Sequence, residues 1–124
     1  MSNQVPNSNV KYDLCLRTEA FGEAIIDFVK TVPESNINRS IISQLIRSVT
    51  SIGANYMEAD CAESKKDFKH KIGISKKESK ETTYWLRMSA RTNAEKIEEC
   101  RKLWQEAHEL TLIFSSIINR TNIS

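Results

Sequence analysis

The sequence predicts an all-α protein folded as a single up-down-up-down four-helix bundle. Its 124 residues are enough for one domain. Glycine and proline number only 3 and 2, whereas sandwiches and barrels need turn residues at roughly every 8–12 positions. Four long segments carry apolar residues at spacings of three and four, which is the pattern of amphipathic helices. Joined by connections of about three to six residues, four such helices pack as antiparallel neighbours.

The first two helices are predicted over residues 13–31 and 38–61. The first has one apolar face, formed by Leu14, Phe21, Ala24, Ile25, Phe28 and Val32. Pro33 ends that helix, because the residue before a proline disfavours the α conformation. The second has an apolar face formed by Ile42, Leu45, Ile46, Val49, Ile52 and Tyr56. Gly53 lies on this face, so we expect it to permit close contact with a neighbouring helix.

The last two helices are predicted over residues 65–91 and 95–119. Ser64 and Asp67 have the spacing of a capping box and mark the start of the third helix. Asn93 is expected to be the N-cap of the fourth. The apolar row of the fourth helix is Ile97, Cys100, Leu103, Trp104, Ala107, Leu110, Phe114, Ile117 and Ile118. We therefore expect the bundle over residues 12–120, with a flexible tail at 1–11 and another at 121–124.

Composition narrows the class of protein. Lys and Arg number 18 and Asp and Glu 16, and 40% of the residues are hydrophobic, as in an ordinary globular domain. The longest uncharged stretches, such as Ser48–Met57, have 10 residues, well short of the roughly 18 that a membrane span needs. The first residues show no signal-peptide pattern. Three cysteines without a C-x-x-C pair fit reduced thiols, so a cytoplasmic location is expected.

The predicted third helix carries a one-sided row of cations. At about 100° per residue, six of them fall within an arc of about 80° that contains no acid. We call this row the basic stripe; it comprises Lys65, Lys69, Lys76, Lys80, Arg87 and Arg91. Lys66 and Lys77 lie beside it. A solvated helix face is one interpretation, but such faces usually mix both signs. The alternative is a surface that binds the phosphates of a nucleic acid.

Several apolar residues fall outside the predicted core sector. On the third helix these are Ile74, Trp85 and Met88, and on the fourth Ile113 and Ile117 widen the apolar arc beyond what one core requires. Large apolar surface away from a core usually marks an interface. We interpret these five residues as an oligomer interface, with scattered surface residues as the alternative.

A polar flank borders the apolar face of the second helix. It contains Arg47, Ser51, Asn55 and Glu58, and it could meet Glu78 and Glu81 of the third helix. Networks of this kind are most often structural, since buried polar groups must be paired. A catalytic constellation is the other interpretation.

No enzyme motif stands out. The sequence has no glycine-rich phosphate loop, no H-E-x-x-H and no G-x-S-x-G. Asp67–His70 and Gln105–His108 approach the spacing of a di-metal site in a bundle. However, glutamine is a poor ligand, and the helical wheel turns His70 away from the core. We expect no enzymatic activity, no metal and no cofactor.

Three segments resemble the signatures of a known family. Residues 47–59 (RSVTSIGANYMEA), 64–72 (SKKDFKHKI) and 77–86 (KESKETTYWL) are similar to the second and third helices of the bacterial "four helix bundle protein" family. Its members are also called 23S ribosomal RNA intervening-sequence proteins. The resemblance spans about Leu14–Ile118. It implies a left-handed four-helix bundle and assembly as a homopentamer, and it associates the chain with ribosomal RNA genes or with reverse transcriptases.

Together these features lead to a functional expectation. We expect a non-enzymatic, oligomeric nucleic-acid-binding protein that contacts phosphates of structured RNA or an RNA–DNA hybrid through the third helix. The expected partners are further copies of the chain and a nucleic acid, above all RNA, but not a membrane. The alternative is a protein–protein adaptor that docks a polymerase, such as a reverse transcriptase, or a ribosome-associated protein. The two differ in their response to salt, because only phosphate binding weakens steeply as salt rises.

Overall fold

Four helices make up nearly all of residues 13–123, the part of the chain that the computed structural model describes. They are α1 (Leu14–Val29), α2 (Asn36–Asp60), α3 (Lys65–Thr92) and α4 (Ile97–Ile123), and a short 3₁₀ turn at Ala94–Lys96 leads into α4. No strand occurs within the described residues. The predicted all-α four-helix fold is therefore confirmed. The flexible tail expected at 1–11 lies outside the described residues.

A side-chain cap marks the start of each of the first three helices. Asp13, Ser35 and Ser64 have extended backbones, and each side chain accepts a hydrogen bond from the main-chain N–H three residues later, at 3.2, 3.0 and 3.0 Å respectively. Such caps satisfy N–H groups that have no partner inside the helix. The cap at Ser35 explains why α2 begins at Asn36, two residues before the predicted start.

Two helix ends differ from the predicted bounds by more than one residue. α1 stops at Val29, and the N–H groups of Thr31 and Val32 then close short turns onto carbonyls three residues earlier. α4 continues to Ile123, so the tail expected at 121–124 is helical over its first three residues. Nothing in residues 119–123 breaks a helix, since the segment contains neither glycine nor proline.

The four helices form a square in which each contacts its two neighbours in sequence order. α1 packs on α2, α2 on α3, α3 on α4 and α4 on α1, and across one diagonal the ring centres of Tyr56 in α2 and Phe114 in α4 lie 6.2 Å apart. Cross-helix bonds show that α2 and α3 run antiparallel, because Ser75 meets Ile52 whereas Thr82 meets Ser48. The core that the four helices share includes Ile25, Leu45, Ile52, Ile72, Leu86, Leu110 and Phe114.

Small polar residues line the contact between α2 and α3. The Ser75 hydroxyl donates to the Ile52 carbonyl at 2.9 Å, and the hydroxyls of Ser48 and Thr82 lie 2.9 Å apart. All three hydroxyl-bearing residues are fully buried. Because each hydroxyl has a partner, these residues let two backbones approach without leaving a buried polar group unsatisfied.

Two buried asparagines join the connections at one end of the bundle. Asn38 donates to the Pro33 carbonyl at 2.9 Å and to the Asn93 side-chain oxygen at 3.1 Å, and Asn93 donates back to Asn38 at 2.9 Å. Asn93 also donates to the Ser89 carbonyl. Asn93 does occupy the N-cap position of the 3₁₀ turn that leads into α4, but its side chain makes no cap bond to that turn.

Candidate nucleic-acid interface

The cations predicted to bind phosphates line one side of α3. Seven of the eight are exposed, and Lys76 is half-buried. The helix holds them in a row, because residues three, four and seven apart lie on one face. Between Lys65 and Arg91 the row is about 39 Å long, at about 1.5 Å per residue.

Carboxylates do not neutralise most of this row. Within residues 13–123 no ion pair is made by the seven cations Lys66, Lys69, Lys76, Lys77, Lys80, Arg87 and Arg91. Lys69 instead donates to the side-chain amide oxygen of Asn122 at 2.6 Å, and the Arg87 guanidinium lies 5.5 Å from the centre of the Trp104 ring. Neither contact cancels a charge, so the row keeps its positive potential.

The carboxylates of α3 turn towards α2 instead. Glu78 is 8% exposed and lies 3.2 Å from the Arg47 guanidinium, which also pairs with Glu81. Trp85 donates its indole N–H to the same Glu81 carboxylate at 2.8 Å. Opposite sides of one helix therefore carry opposite charges, and Arg47 offsets one of the two negative charges on the acidic side.

Two carboxylates of α4 likewise form ion pairs, in this case with an arginine of α1. Arg17 of α1 bonds to both carboxylate oxygens of Glu106, each at 2.8 Å, and to Glu109 at 2.9 Å. These hydrogen bonds raise the pKa of Arg17. Hydrogen bonds from Gln105 and then from Arg17 lower the pKa of Glu109. Both groups therefore stay charged near neutral pH, and their charges offset each other between α1 and α4.

A groove of about 440 Å³ separates the end of α3 from the start of α4. Arg87, Arg101 and Gln105 supply its polar lining, and its remaining lining residues are Leu86, Ala90, Ile97, Cys100 and Trp104. No carboxylate of residues 13–123 is among its lining residues. The basic stripe therefore borders a groove of mainly uncharged residues at the contact with α4, where Arg101 is paired with Glu98.

The predicted polar network is divided into three parts. Arg47 joins Glu78 and Glu81, as described above. The Asn55 amide donates to the carbonyl and the hydroxyl of Ser51, at 2.9 and 3.0 Å, within α2. Glu58 pairs with Lys71 of α3 at 2.6 Å. The ion pairs of Arg47 and Glu58 join α2 to α3, whereas the Asn55 bonds lie within α2.

The structure corrects the placement of several predicted interface residues. Trp85, Ile113 and Ile117 pack against the shared core, and Ile74 and Met88 are half-buried. The most exposed large hydrophobic residues are others, namely Leu16, Ile26, Ile37, Met57, Tyr84, Ile97 and Leu112. Each helix in a square bundle contacts two neighbours. The buried part of its circumference is therefore wider than the core sector assumed from the sequence.

Neither histidine lies in a metal-binding arrangement. His70 is exposed, and His108 stacks on Trp104 with 5.0 Å between the ring centres. Across residues 13–123 no three His, Cys, Asp or Glu side chains form a group that could hold a metal ion. In the same part of the chain, every helix is too short or too polar to cross a membrane.

The chain is similar to known proteins over most of its length. Residues 11–116 match the family model described as 23S rRNA-intervening sequence protein. A crystal structure from Bacteroides thetaiotaomicron, of a protein of unknown function from the S23 ribosomal protein family, superimposes with a TM-score of 0.75. That protein is 32% identical, and the match covers 85% of this chain and 97% of the other. Curated proteins provide no significant match. The protein described here belongs to the 23S rRNA-intervening sequence protein family.

Proposed function

We propose that this protein is a non-enzymatic nucleic-acid-binding protein of the cytoplasm, and that the basic stripe on α3 contacts phosphates of structured RNA or an RNA–DNA hybrid. One observation carries the proposal. The stripe cations other than Lys65 have no carboxylate partner in the described structure, whereas Glu78, Glu81, Glu106 and Glu109 are paired with arginines on other sides of the bundle. A solvated face needs no such separation of charge.

The dimensions of the stripe suit a nucleic-acid backbone. Its length of about 39 Å is close to one turn of duplex, about 34–36 Å in B-form DNA. Contacts from lysines and arginines to phosphates position a nucleic acid but do not distinguish its bases. The stripe is therefore expected to bind with little dependence on sequence.

Self-association completes the proposal. Ile74 and Met88 are half-buried apolar residues on α3, next to the polar side that faces α2. We propose that they take part in a homo-oligomer, which the family resemblance implies is a pentamer. A ring of subunits would repeat the stripe around its axis and raise affinity through multiple contacts. Light scattering is expected to give a single oligomer, and a monomer at micromolar concentration would contradict this part.

Charge reversal tests the proposed binding. Lys69, Lys80 and Arg91 are all exposed, so replacing them together by Glu reverses the charge at three positions of the basic stripe without disturbing the core. Lys76 is left in place because it is half-buried. The matched control replaces Lys30, Arg39 and Lys102 by Glu, which makes the same charge change at exposed sites off the stripe. Circular dichroism and oligomer size should not change in either variant.

The measurement is fluorescence anisotropy with labelled structured RNA at about 50 and 200 mM salt. The wild type is expected to contact roughly four to six phosphates, which gives a slope of log K against log salt of about −3 to −5. The stripe variant should lose binding, and the control variant should retain most of it. Equal losses in both variants would show attraction by net charge alone and would contradict the proposal.

A protein–protein adaptor is the second candidate. Exposed Ile26 and Met57 border a groove of about 430 Å³ between α1 and α2, which contains Gly22, Gly53 and Ala54. An apolar groove can seat a side chain of a partner protein. Binding of a partner that persists in high salt and in the stripe variant would favour this function.

A further inference from the structure

An aromatic side chain is exposed within the basic side of α3. Tyr84 is 51% exposed, although burial of such a ring would stabilise the fold. On a helical wheel with Lys65 at zero and about 100° per residue, Tyr84 lies at about 100°. Arg91 lies at about 80° and Lys77 at about 120°, so the ring falls between two cations. The helical spacing places Lys80 and Arg87, four residues before and three after, on the same face of α3 as Tyr84.

The Tyr84 ring packs against the neighbouring Trp85 ring, which is itself held in place by other contacts. The rings of Tyr84 and Trp85 meet edge to face, with 4.9 Å between their centres and an angle of 78°. Trp85 is held in turn by its hydrogen bond to Glu81, and Glu81 pairs with Arg47. An edge-to-face neighbour covers at most one face of a ring. With 51% of its surface exposed, Tyr84 keeps part of its ring accessible to solvent between cations.

We propose that Tyr84 stacks against an unpaired base of the nucleic acid whose phosphates the basic stripe binds. This inference rests on the proposed function and deepens it, because it commits the ligand to a single-stranded segment such as a loop, a bulge or an end. Bases inside a duplex are stacked on both faces and offer no surface to a tyrosine. Aromatic rings set among cations are the typical platform for single-stranded nucleic acids.

Anisotropy with two probes tests the inference, namely a labelled oligouridylate of about 15 nucleotides and a blunt RNA duplex of the same length. Tyr84→Leu keeps an apolar side chain but removes the aromatic face. It should bind the single strand about 10-fold more weakly, in line with stacking on one aromatic residue. Its affinity for the duplex should change less than about twofold, because duplex binding uses phosphates alone.

Two controls separate stacking from other effects. Tyr84→Phe keeps the ring and should bind both probes like the wild type. Leu112→Ala removes an exposed apolar side chain from α4 and should leave both affinities unchanged. A single strand with 2-aminopurine should show fluorescence quenching with the wild type and with Tyr84→Phe, but much less with Tyr84→Leu.

The outcomes distinguish this inference from the proposed function. If Tyr84→Leu binds the single strand like the wild type, or loses affinity equally for both probes, stacking at Tyr84 is overturned. The proposed function survives that result when the stripe variant still loses both probes. If the wild type binds neither probe at low salt, the proposed function fails and the inference fails with it. Salt-resistant capture of a protein through Tyr84 would assign the ring to a protein interface.

Discussion

Arg17 of α1 forms a two-pronged ion pair with Glu106 of α4, in which Nε and Nη2 each lie 2.8 Å from a separate carboxylate oxygen. The two residues are 89 positions apart in the chain. Of the four neighbouring helix pairs, α1 and α4 make the least extensive contact. A planar guanidinium that bonds to two oxygens also fixes the angle between its partners. The pair therefore closes the bundle where apolar packing is weakest.

Arg17→Ala is expected to lower the free energy of unfolding by about 1 kcal/mol, which is typical of a partly exposed ion pair with good geometry. Arg17→Lys should recover only part of the loss, because an ammonium group cannot reproduce the two-pronged bond. Urea unfolding of Arg17→Ala, Glu106→Ala and the double variant measures the coupling. A coupling energy of zero would show that the pair does not hold α1 to α4.

The pairing of Glu109 predicts a dependence of stability on pH. Hydrogen bonds from Gln105 and Arg17 lower its pKa from the ordinary value of 4.5. The ionised carboxylate therefore stabilises the folded state above about pH 4.5, and this contribution disappears as pH falls through the depressed pKa. Glu109→Gln should have a lower Tm than the wild type at pH 6.

The difference in Tm between the wild type and Glu109→Gln should shrink as the pH is lowered. Thermal unfolding followed by circular dichroism between about pH 6 and 3 measures this difference. Glu23→Gln is a suitable control, because Glu23 is exposed and makes no ion pair within residues 13–123. A gap between wild type and Glu109→Gln that grows at low pH would contradict the predicted sign.

The three cysteines should react with thiol reagents at different rates. Cys61 is exposed, Cys15 is half-buried and Cys100 is only 3% exposed. Burial raises the pKa of the Cys100 thiol to about 11, and it also raises the pKa of Cys15. Because the thiolate is the nucleophile, iodoacetamide at about pH 8 should modify Cys61 first and Cys100 only in denaturant.

Mass spectrometry of peptides after timed quenching measures these rates. Cys61→Ser should remove the fast reaction and leave the slow ones unchanged. Modification of Cys100 in the native protein as fast as that of Cys61 would show that the contact between α3 and α4 opens readily.

Gly73→Ala is expected to stabilise the protein. A Cβ atom placed at Gly73 meets nothing within 4 Å, and the residue lies in the interior of α3. Alanine in a helix interior is favoured over glycine by about 0.8–1 kcal/mol, so the free energy of unfolding should rise by about that amount. Urea unfolding measures the change, and a loss of stability would indicate that another subunit covers this position.

Gly53 provides a comparison for Gly73. A Cβ atom at Gly53 would lie 3.4 Å from the Thr18 hydroxyl of α1, which is ordinary van der Waals contact. Gly53 does face a neighbouring helix, as the sequence predicts, yet a methyl group still fits there. Gly53→Ala should therefore gain no more stability than Gly73→Ala, and a strong loss would show that α1 and α2 lie closer together.

Local rules explain what could be predicted for the elements. Ser64 starts α3 because its hydroxyl and the third following N–H are near one another in the chain. Ile25, Leu45 and Leu110 are fully buried, as their three- and four-residue spacing predicts. The basic stripe lies on one side of α3 for the same reason, since 3.6 residues per turn fixes which side chains share a face.

Side-chain bonds between residues far apart in the sequence, in contrast, could not be predicted from residue spacing. Asn38 and Asn93 are 55 positions apart, and a polar residue at a helix boundary is equally suited to capping or to pairing. The pairing of Arg17 with Glu106 has no local signal at all. Each of these bonds depends on which helices become neighbours and on how far they are shifted relative to one another along their axes.

The sequence by itself therefore determined the four helices, most of their caps, the core positions and the separation of charge on α3, because all of these follow from contacts within a few turns of one helix. Only the tertiary structure decided that Trp85 packs on the core, whereas Tyr84 stays exposed beside it. The physical reason is that each helix meets two neighbours, and the width of its buried arc is set by how closely those neighbours approach.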